Sequence, residues 1–349
     1  MERYLQVFIN GYTGYANYLW NEITHPGWHN YFYWLIGVSL FFFALEWVKP
    51  WRKEQPKFRK DFWLDFFYMF FNFFLFSLVI YNAMSDVVVN LFTDLLGMVG
   101  ITNLVALNIK AMPVWAHLLL GFVVRDFVQW WIHRLLHRSN RLWEYHKVHH
   151  SVEQMGFAAH LRYHWMENVV YRTIEYIPLA LIGIGLNDFF VIHIFTLAIG
   201  HYNHSNFSVS GSVTGAVVGL LVGLAIALRA FDLNVLPAGA AWWQQLVVIV
   251  AAALVGAFVL GRFMKRIFNS PEMHIWHHAY HLPQDKQYGI NFGISLSLWD
   301  YIFGTAYIPH NGRDIKLGFP GVEQFPHTFS GQNLHGIIPE HAAQQPEQP

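Results

Sequence analysis

Four blocks of histidine alternate with apolar runs in this chain, and that alternation limits the folds open to it. DFVQWWIHRLLH carries His133 and His137, HKVHH carries His146, His149 and His150, HYNH carries His201 and His204, and HIWHH carries His274, His277 and His278. The runs between and before them are long enough to cross a bilayer, which takes roughly 20 apolar residues. If the blocks build one site, they must reach one face of the membrane. The chain must then cross an even number of times between any two of them.

The clearest spans are 31–48, 62–82, 211–230 and 242–261. The run 113–132 is apolar enough but carries His117, Arg125 and Asp126, and 86–107 is weaker and suits the interface. Residues 173–200 form two short apolar halves broken near GIGLND (183–188), which predicts a shallow or re-entrant hairpin. Charged residues supply 13% of the 349, against about a quarter in soluble domains. The expected fold is therefore all-α, a polytopic membrane helical bundle. The first twenty residues lack the basic start and continuous apolar run of a cleavable signal, so insertion is expected through the first true span.

Sidedness follows from the loops. Residues 49–60, KPWRKEQPKFRK, hold six Lys or Arg and one acid, which places them in the cytoplasm by the positive-inside rule. Residues 83–112 hold only Lys110 and should face outward, while 133–172 are again rich in Arg and return inside. A hairpin at 173–200 and a pair of spans at 211–230 and 242–261 keep the parity even. The site is expected on the cytoplasmic face.

Formal net charge is zero, so no global basic bias argues for nucleic acid. The absence of cysteine excludes disulfides, zinc ribbons and thiolate-held clusters. That leaves imidazole as the donor. His133 and His137 at i,i+4 share a helix face. In each H-x-x-H-H box the i,i+3 pair is expected to face one way while the adjacent ring turns aside, which suits ligands serving two metals. A lone histidine is more often a packing residue, and His25, His29, His117, His193, His310, His327, His335 and His341 are read so, as is His160; His281 is left open. Imidazole serves zinc, copper, iron and nickel alike. Ten histidines exceed the three-plus-water set of hydrolytic zinc, and H-E-x-x-H is missing. Two irons, five-coordinate and activating dioxygen, explain the number best.

The pattern D126-x3-W130-x2-H133-R134-x2-H137, then H146-x2-HHS, RYHWME and HSNF resembles the sterol desaturase branch of the fatty acid hydroxylase superfamily. So does FNSPEMHIWHHAYHLPQDKQYGINFGISLSLWDYIFGT at 268–305. The resemblance implies a membrane enzyme with a non-haem di-iron centre that uses O2 to hydroxylate or desaturate a lipid: a sterol, fatty acyl chain, sphingoid base or alkylglycerol ether. It implies as ligands His133, His137, His146, His149, His150, His204, His274, His277 and His278, with His201 as the tenth. His164 is implied as a ligand or as support for one, followed by Glu167; Asp126, Asn291 and Asp300 are implied to orient ligand imidazoles.

Three regions follow: an N-terminal transmembrane part (1–112), the catalytic domain (113–308) and a polar tail (309–349) whose end, AAQQPEQP, is expected to be disordered. About 210–260 departs from the pattern as an inserted apolar hairpin, rich in Gly, Ala and Val for close helix packing. Trp130, Trp131, Trp165 and Trp276 suit interfacial anchoring better than a channel wall. No dinucleotide, cysteine-cluster or haem motif is present, so electrons are expected from an external reductase, ferredoxin or cytochrome b5-like carrier. A membrane metal transporter or a non-catalytic metal-binding membrane protein are the rival readings; a transporter would spread carboxylates and histidines along its spans.

Overall fold

The computed structural model describes residues 2–337 apart from 102, 104, 108, 229–234 and 238. The AAQQPEQP ending, His341 and the last two residues of the 211–230 run lie outside the described residues. Within them every regular element is helical, apart from two single bridges, Phe268–Leu296 and Ala279–Leu317.

Helix α1 (Glu2–Thr24) turns back through 25–30 into α2 (Tyr31–Val48). Asn30 makes that turn: its Oδ1 accepts from Tyr33 N at 3.2 Å while its Nδ2 donates to Glu22 O at 2.6 Å. After the basic loop, α3 (Phe62–Phe70) runs without a break through two π-helical turns, 71–75 and 77–81, into α4 (Asn82–Met98). The apolar run 62–82 thus does not end in a turn. Asn72 sits in the first π turn and donates to both Leu161 O and Tyr163 O at 2.9 Å, tying the widened backbone to a neighbouring segment. Helix α4 lies back along α1, with Arg3 and Asp94 paired at 2.7 Å. That pair is exposed and adds little stability.

Helix α5 (Val114–Arg138) carries the apolar run straight into the first histidine block, and Ser139 ends it while capping α6 (Asn140–His150). Helices α7 (Trp165–Leu181) and α8 (Leu186–His204) form the expected hairpin, broken at 182–185 where Gly183 takes a φ of 81°. Helices α9 (Gly211–Ala227) and α10 (Trp242–Val255) form the second hairpin, and α10 continues through a π turn at 256–260 into α11 (Gly261–Ile267). Gly211, Gly215, Gly219 and Gly223 make one stripe along α9. A Cβ on Gly215 would strike Gly256 O, and one on Gly223 would sit 2.7 Å from Ile249 Cα. The glycines let two backbones touch, as in membrane helix pairs.

In NSPEMH, Ser270 caps α12 (Pro271–His277) and Pro271 takes the first helical position, where its missing N–H costs nothing. Helix α13 (Leu298–Ile302) follows a tight loop, and α14 (Phe329–Leu334) lies near the end of the described chain. The stretch 309–337 is packed rather than loose. Phe319, Val322 and Phe325 are buried with Tyr68 and Val148, and Gly318 N donates to His278 O at 3.0 Å.

Among the described residues three helices are long and apolar enough to cross a membrane: 31–48, 62–79 and 242–267; α9 is shorter. Their outer faces expose large apolar side chains, such as Phe41 at 58%, Trp63 at 68% and Phe258 at 80%. In water such faces would be an aggregation hazard, whereas lipid covers them at no cost. Trp130 and Trp276, expected at the interface, are instead buried and donate to Asp300 Oδ1 and His310 O; Trp131 remains exposed. The basic loop is tied to the histidine-bearing segments: Trp51 N donates to Asn206 O at 2.8 Å, and Arg162 pairs with Asp61 and Asp65 at 3.1 Å each.

Gly215→Leu should force α9 off α10. Overpacking of this kind costs about 1–3 kcal/mol. A lower unfolding temperature in detergent, with the metal content of the histidine groups retained, is the expected result.

Candidate metal centre

Nine histidines gather into two buried groups. His133 and His137 from α5, His146 and His150 from α6, and His277 from α12 form the first; His149 from α6, His204 from α8, and His274 and His278 at α12 form the second. Within each group the ligand nitrogens all lie within 4.8 Å of one another. The expected division of the H-x-x-H-H boxes is corrected here. Each box sends its i,i+4 pair to one group (146 with 150, 274 with 278) and its middle ring, 149 or 277, to the other. At about 100° per residue, i,i+4 positions differ by about 40° and i,i+3 by about 60°, so the longer spacing aligns rings better.

In the first group Nε2 of His133, His137, His146, His150 and His277 is buried without a hydrogen-bond partner. In the second, His204 Nε2 lies 3.3 Å from His149 Nε2 and 2.9 Å from His274 Nε2, which is 3.1 Å from His278 Nε2. Buried nitrogens without partners are costly, and neutral rings cannot share enough protons to satisfy this many lone pairs. Two nitrogens bound to one ion at about 2.1 Å and at right angles lie about 3.0 Å apart. The donor set therefore fits a cation at each group.

Five of the opposite ring nitrogens are held outward. His133 Nδ1 meets Phe292 O at 2.8 Å, His277 Nδ1 meets Ile290 O at 2.7 Å, His149 Nδ1 meets Arg162 O at 3.0 Å, and His204 Nδ1 meets Gly200 O at 2.8 Å. His146 Nδ1 meets Glu167 Oε2 at 2.8 Å. Glu167, named after His164 in RYHWME, touches a ring, whereas none of Asp126, Asn291 and Asp300, expected to orient imidazoles, does so. Those three act one step back, by shaping the loop 290–297. Asp126 accepts from Ser295 N, Leu296 N and Trp299 Nε1, and Asp300 accepts from Phe292 N and Gly293 N. Asn291, at a φ of 54° that Asn tolerates better than most residues, bridges Met273 O and Tyr307.

His201 and His164 stand outside both groups. His201 Nε2 lies 3.1 Å from Ser39 Oγ and its Nδ1 2.9 Å from His160 Nδ1. His164 caps α7, accepting from Met166 N at 3.0 Å, while its Nε2 meets Asn333 O at 2.8 Å. His160 was passed over in the sequence. Gly200 makes room for its ring beside His204, and nothing in the local spacing points to that contact. His117 is held by Asp188 at 3.1 Å, and His335 by Glu144 at 2.9 Å, as packing residues are.

Burial keeps these rings neutral. It pushes His149 down to about 4 and His150, His277 and His278 well below the usual histidine range, which leaves their lone pairs free for a metal. A cavity of about 630 Å3 opens beside both groups and is lined by His133, His146, His149, His204 and His274.

His204→Ala should lose the ion of the second group, whereas His201→Ala should keep both, by metal analysis of the purified chain. Glu167→Gln, which replaces the carboxylate on His146 with a weaker amide acceptor, should weaken metal binding about 10–100-fold in a titration with limiting metal. The metal-free chain should lose stability as pH falls from about 6.5 toward about 4, because the unfolded histidines take up protons that the buried ones refuse. Denaturant melts across that range measure it.

The fatty acid hydroxylase family model matches residues 118–222 and 212–305. The ornithine lipid hydroxylase OlsE of Rhizobium tropici is 25% identical over 232 residues, 65% of this chain and 54% of its own length. The very-long-chain aldehyde decarbonylase GL1-10 of Oryza sativa subsp. japonica is 39% identical over 67 residues, 19% of this chain and 22% of its own. The chain thus spans about half the length of the first relative and less of the second. No solved structure matches it. With 118–305 covering all nine clustered histidines, this chain belongs to the fatty acid hydroxylase family.

Proposed function

We propose that the chain is a membrane oxygenase that holds two iron ions in its histidine groups and uses O2 and outside electrons to hydroxylate a lipid. The observation that carries this reading is the pair of buried imidazole groups, each of which sends rings to the wall of one cavity. When bound, an iron pair supplies the oxidising chemistry that an unactivated C–H bond requires.

The protein's own groups do the rest. His133, His137, His146, His150 and His277 would hold one ion, and His149, His204, His274 and His278 the other. Glu167 fixes the ring of His146, and the loop carbonyls of Phe292 and Ile290 fix His133 and His277, so a metal would find its ligands already aimed. Helices α5, α7 and α8 wall the cavity and keep bulk water from the reacting atoms.

The name of the ornithine lipid hydroxylase supports lipid hydroxylation before desaturation, and an ornithine-type lipid before a sterol. The basic loop at 49–60, tied to the histidine segments, supports a cytoplasmic active face in a multi-pass protein and a docking place for a reductase, ferredoxin or cytochrome b5-like donor. A transporter is less well supported, because the clustered histidines gather at one end of the bundle instead of along a path through it.

Purified chain should contain an iron pair. Lipids of cells expressing it should include a species that gains one oxygen, absent when His277→Ala is expressed instead. Lipid profiles unchanged by the intact, iron-loaded chain supplied with reductant would count against the reading.

A further inference from the structure

Three of the helices that wall the cavity beside the histidine groups repeat one spacing. Helix α5 sets Arg125, Gln129 and His133 four residues apart; α7 does the same with Glu175, Tyr171 and Glu167, and α8 with Thr196, Gly200 and His204. Four-residue steps keep one helix face, and eight residues rise about 12 Å. All three stripes begin at the histidine groups and end at one polar knot. There Arg125 Nε donates to Glu175 Oε1, Arg125 Nη1 to Thr196 Oγ1 at 2.6 Å, and Gln129 Nε2 to Glu175 Oε2 at 3.0 Å. All four residues are less than a tenth exposed. Arg172 lines the same cavity, donating to Ser77 Oγ at 2.6 Å and Asn72 O at 3.4 Å, both uncharged. Among the described residues no carboxylate pairs with it.

The lining elsewhere includes Phe73, Phe74, Phe189 and Phe190, but this charged end is wrong for a hydrocarbon tail. A buried ion pair is commonly no better for stability than apolar packing, and ionisable groups at membrane depth are usually functional. Beyond the histidine groups and Glu167, the charged residues of the lining are two arginines and one glutamate, so an incoming anion finds an excess cation. We propose that the cavity binds its lipid by an anionic group of the head, a carboxylate or a phosphate, held by Arg125 and Arg172. The carbon presented to the histidine groups then lies about 12 Å from that charge. The reaction at that carbon rests on the oxygenase reading above; the binding does not.

The test uses the full, iron-loaded chain in nanodiscs, without dioxygen or reductant, and reads the affinity of defined probes. Dioleoyl phosphatidic acid offers the phosphate, N-oleoylglycine the carboxylate, and dioleoylglycerol no charge. At least one anionic probe should bind about tenfold or more tighter than dioleoylglycerol, and which one does so names the group. Arg125→Met with Glu175→Gln removes both charges of the knot together, so neither is left buried alone. With Arg172→Met added, the preference should vanish while iron content stays at the wild-type level. Equal affinity of the unaltered chain for charged and neutral probes overturns the proposal and needs no variant; so does an anionic preference that survives all three substitutions. Selective anion binding by a chain that oxidises no lipid would sink the oxygenase reading and leave this one standing.

Discussion

Nine neutral imidazoles packed with their lone pairs inward cannot satisfy one another. A ring can give one proton to a neighbour, yet the first group leaves five Nε2 atoms without a partner, and the second brings four together at 2.9 to 3.3 Å. Burial forbids the simplest relief, which is protonation. The remaining relief is a cation at each group. The surrounding architecture is a means of holding those rings in place against this mutual repulsion.

That holding is layered. Asp126 and Asp300 bind the main chain of 290–297 through four N–H groups, and the shaped loop turns two carbonyls onto His133 and His277. Arg162 gives its carbonyl to His149 and its guanidinium to Asp61, Asp65 and Ser151. One residue thus joins the start of α3, just after the basic loop, to the second group. The segment 309–337 closes over the other side, and its Asn333 carbonyl receives His164.

Much of this was legible in the sequence. The four blocks announced a gathering of histidines, the break near 183–188 predicted a hairpin at 173–200, and the Gly, Ala and Val content of about 210–260 suited close helix packing; the clustered rings, the hairpin and the close pair of helices are all present. What was not legible depends on contacts distant along the chain. The sharing of the H-x-x-H-H rings between two groups is set by how α6 and α12 face each other. His201 sits three residues from His204, and that small rotation sends it to Ser39 and His160. Asp126, Asn291 and Asp300 lie near the rings in space, but only folding shows that they grip backbone instead. Arg125 and Glu175 read as blemishes in apolar runs until three helices bring them together at one end of a cavity.

Of the five outward braces on the rings, four are main-chain carbonyls: Phe292, Ile290, Arg162 and Gly200. A side-chain substitution cannot delete a carbonyl. The scaffold around the rings can therefore drift widely in sequence while the aim of the imidazoles persists, provided the path of the backbone is kept. Glu167, the sole side chain among the five, is where that tolerance ends.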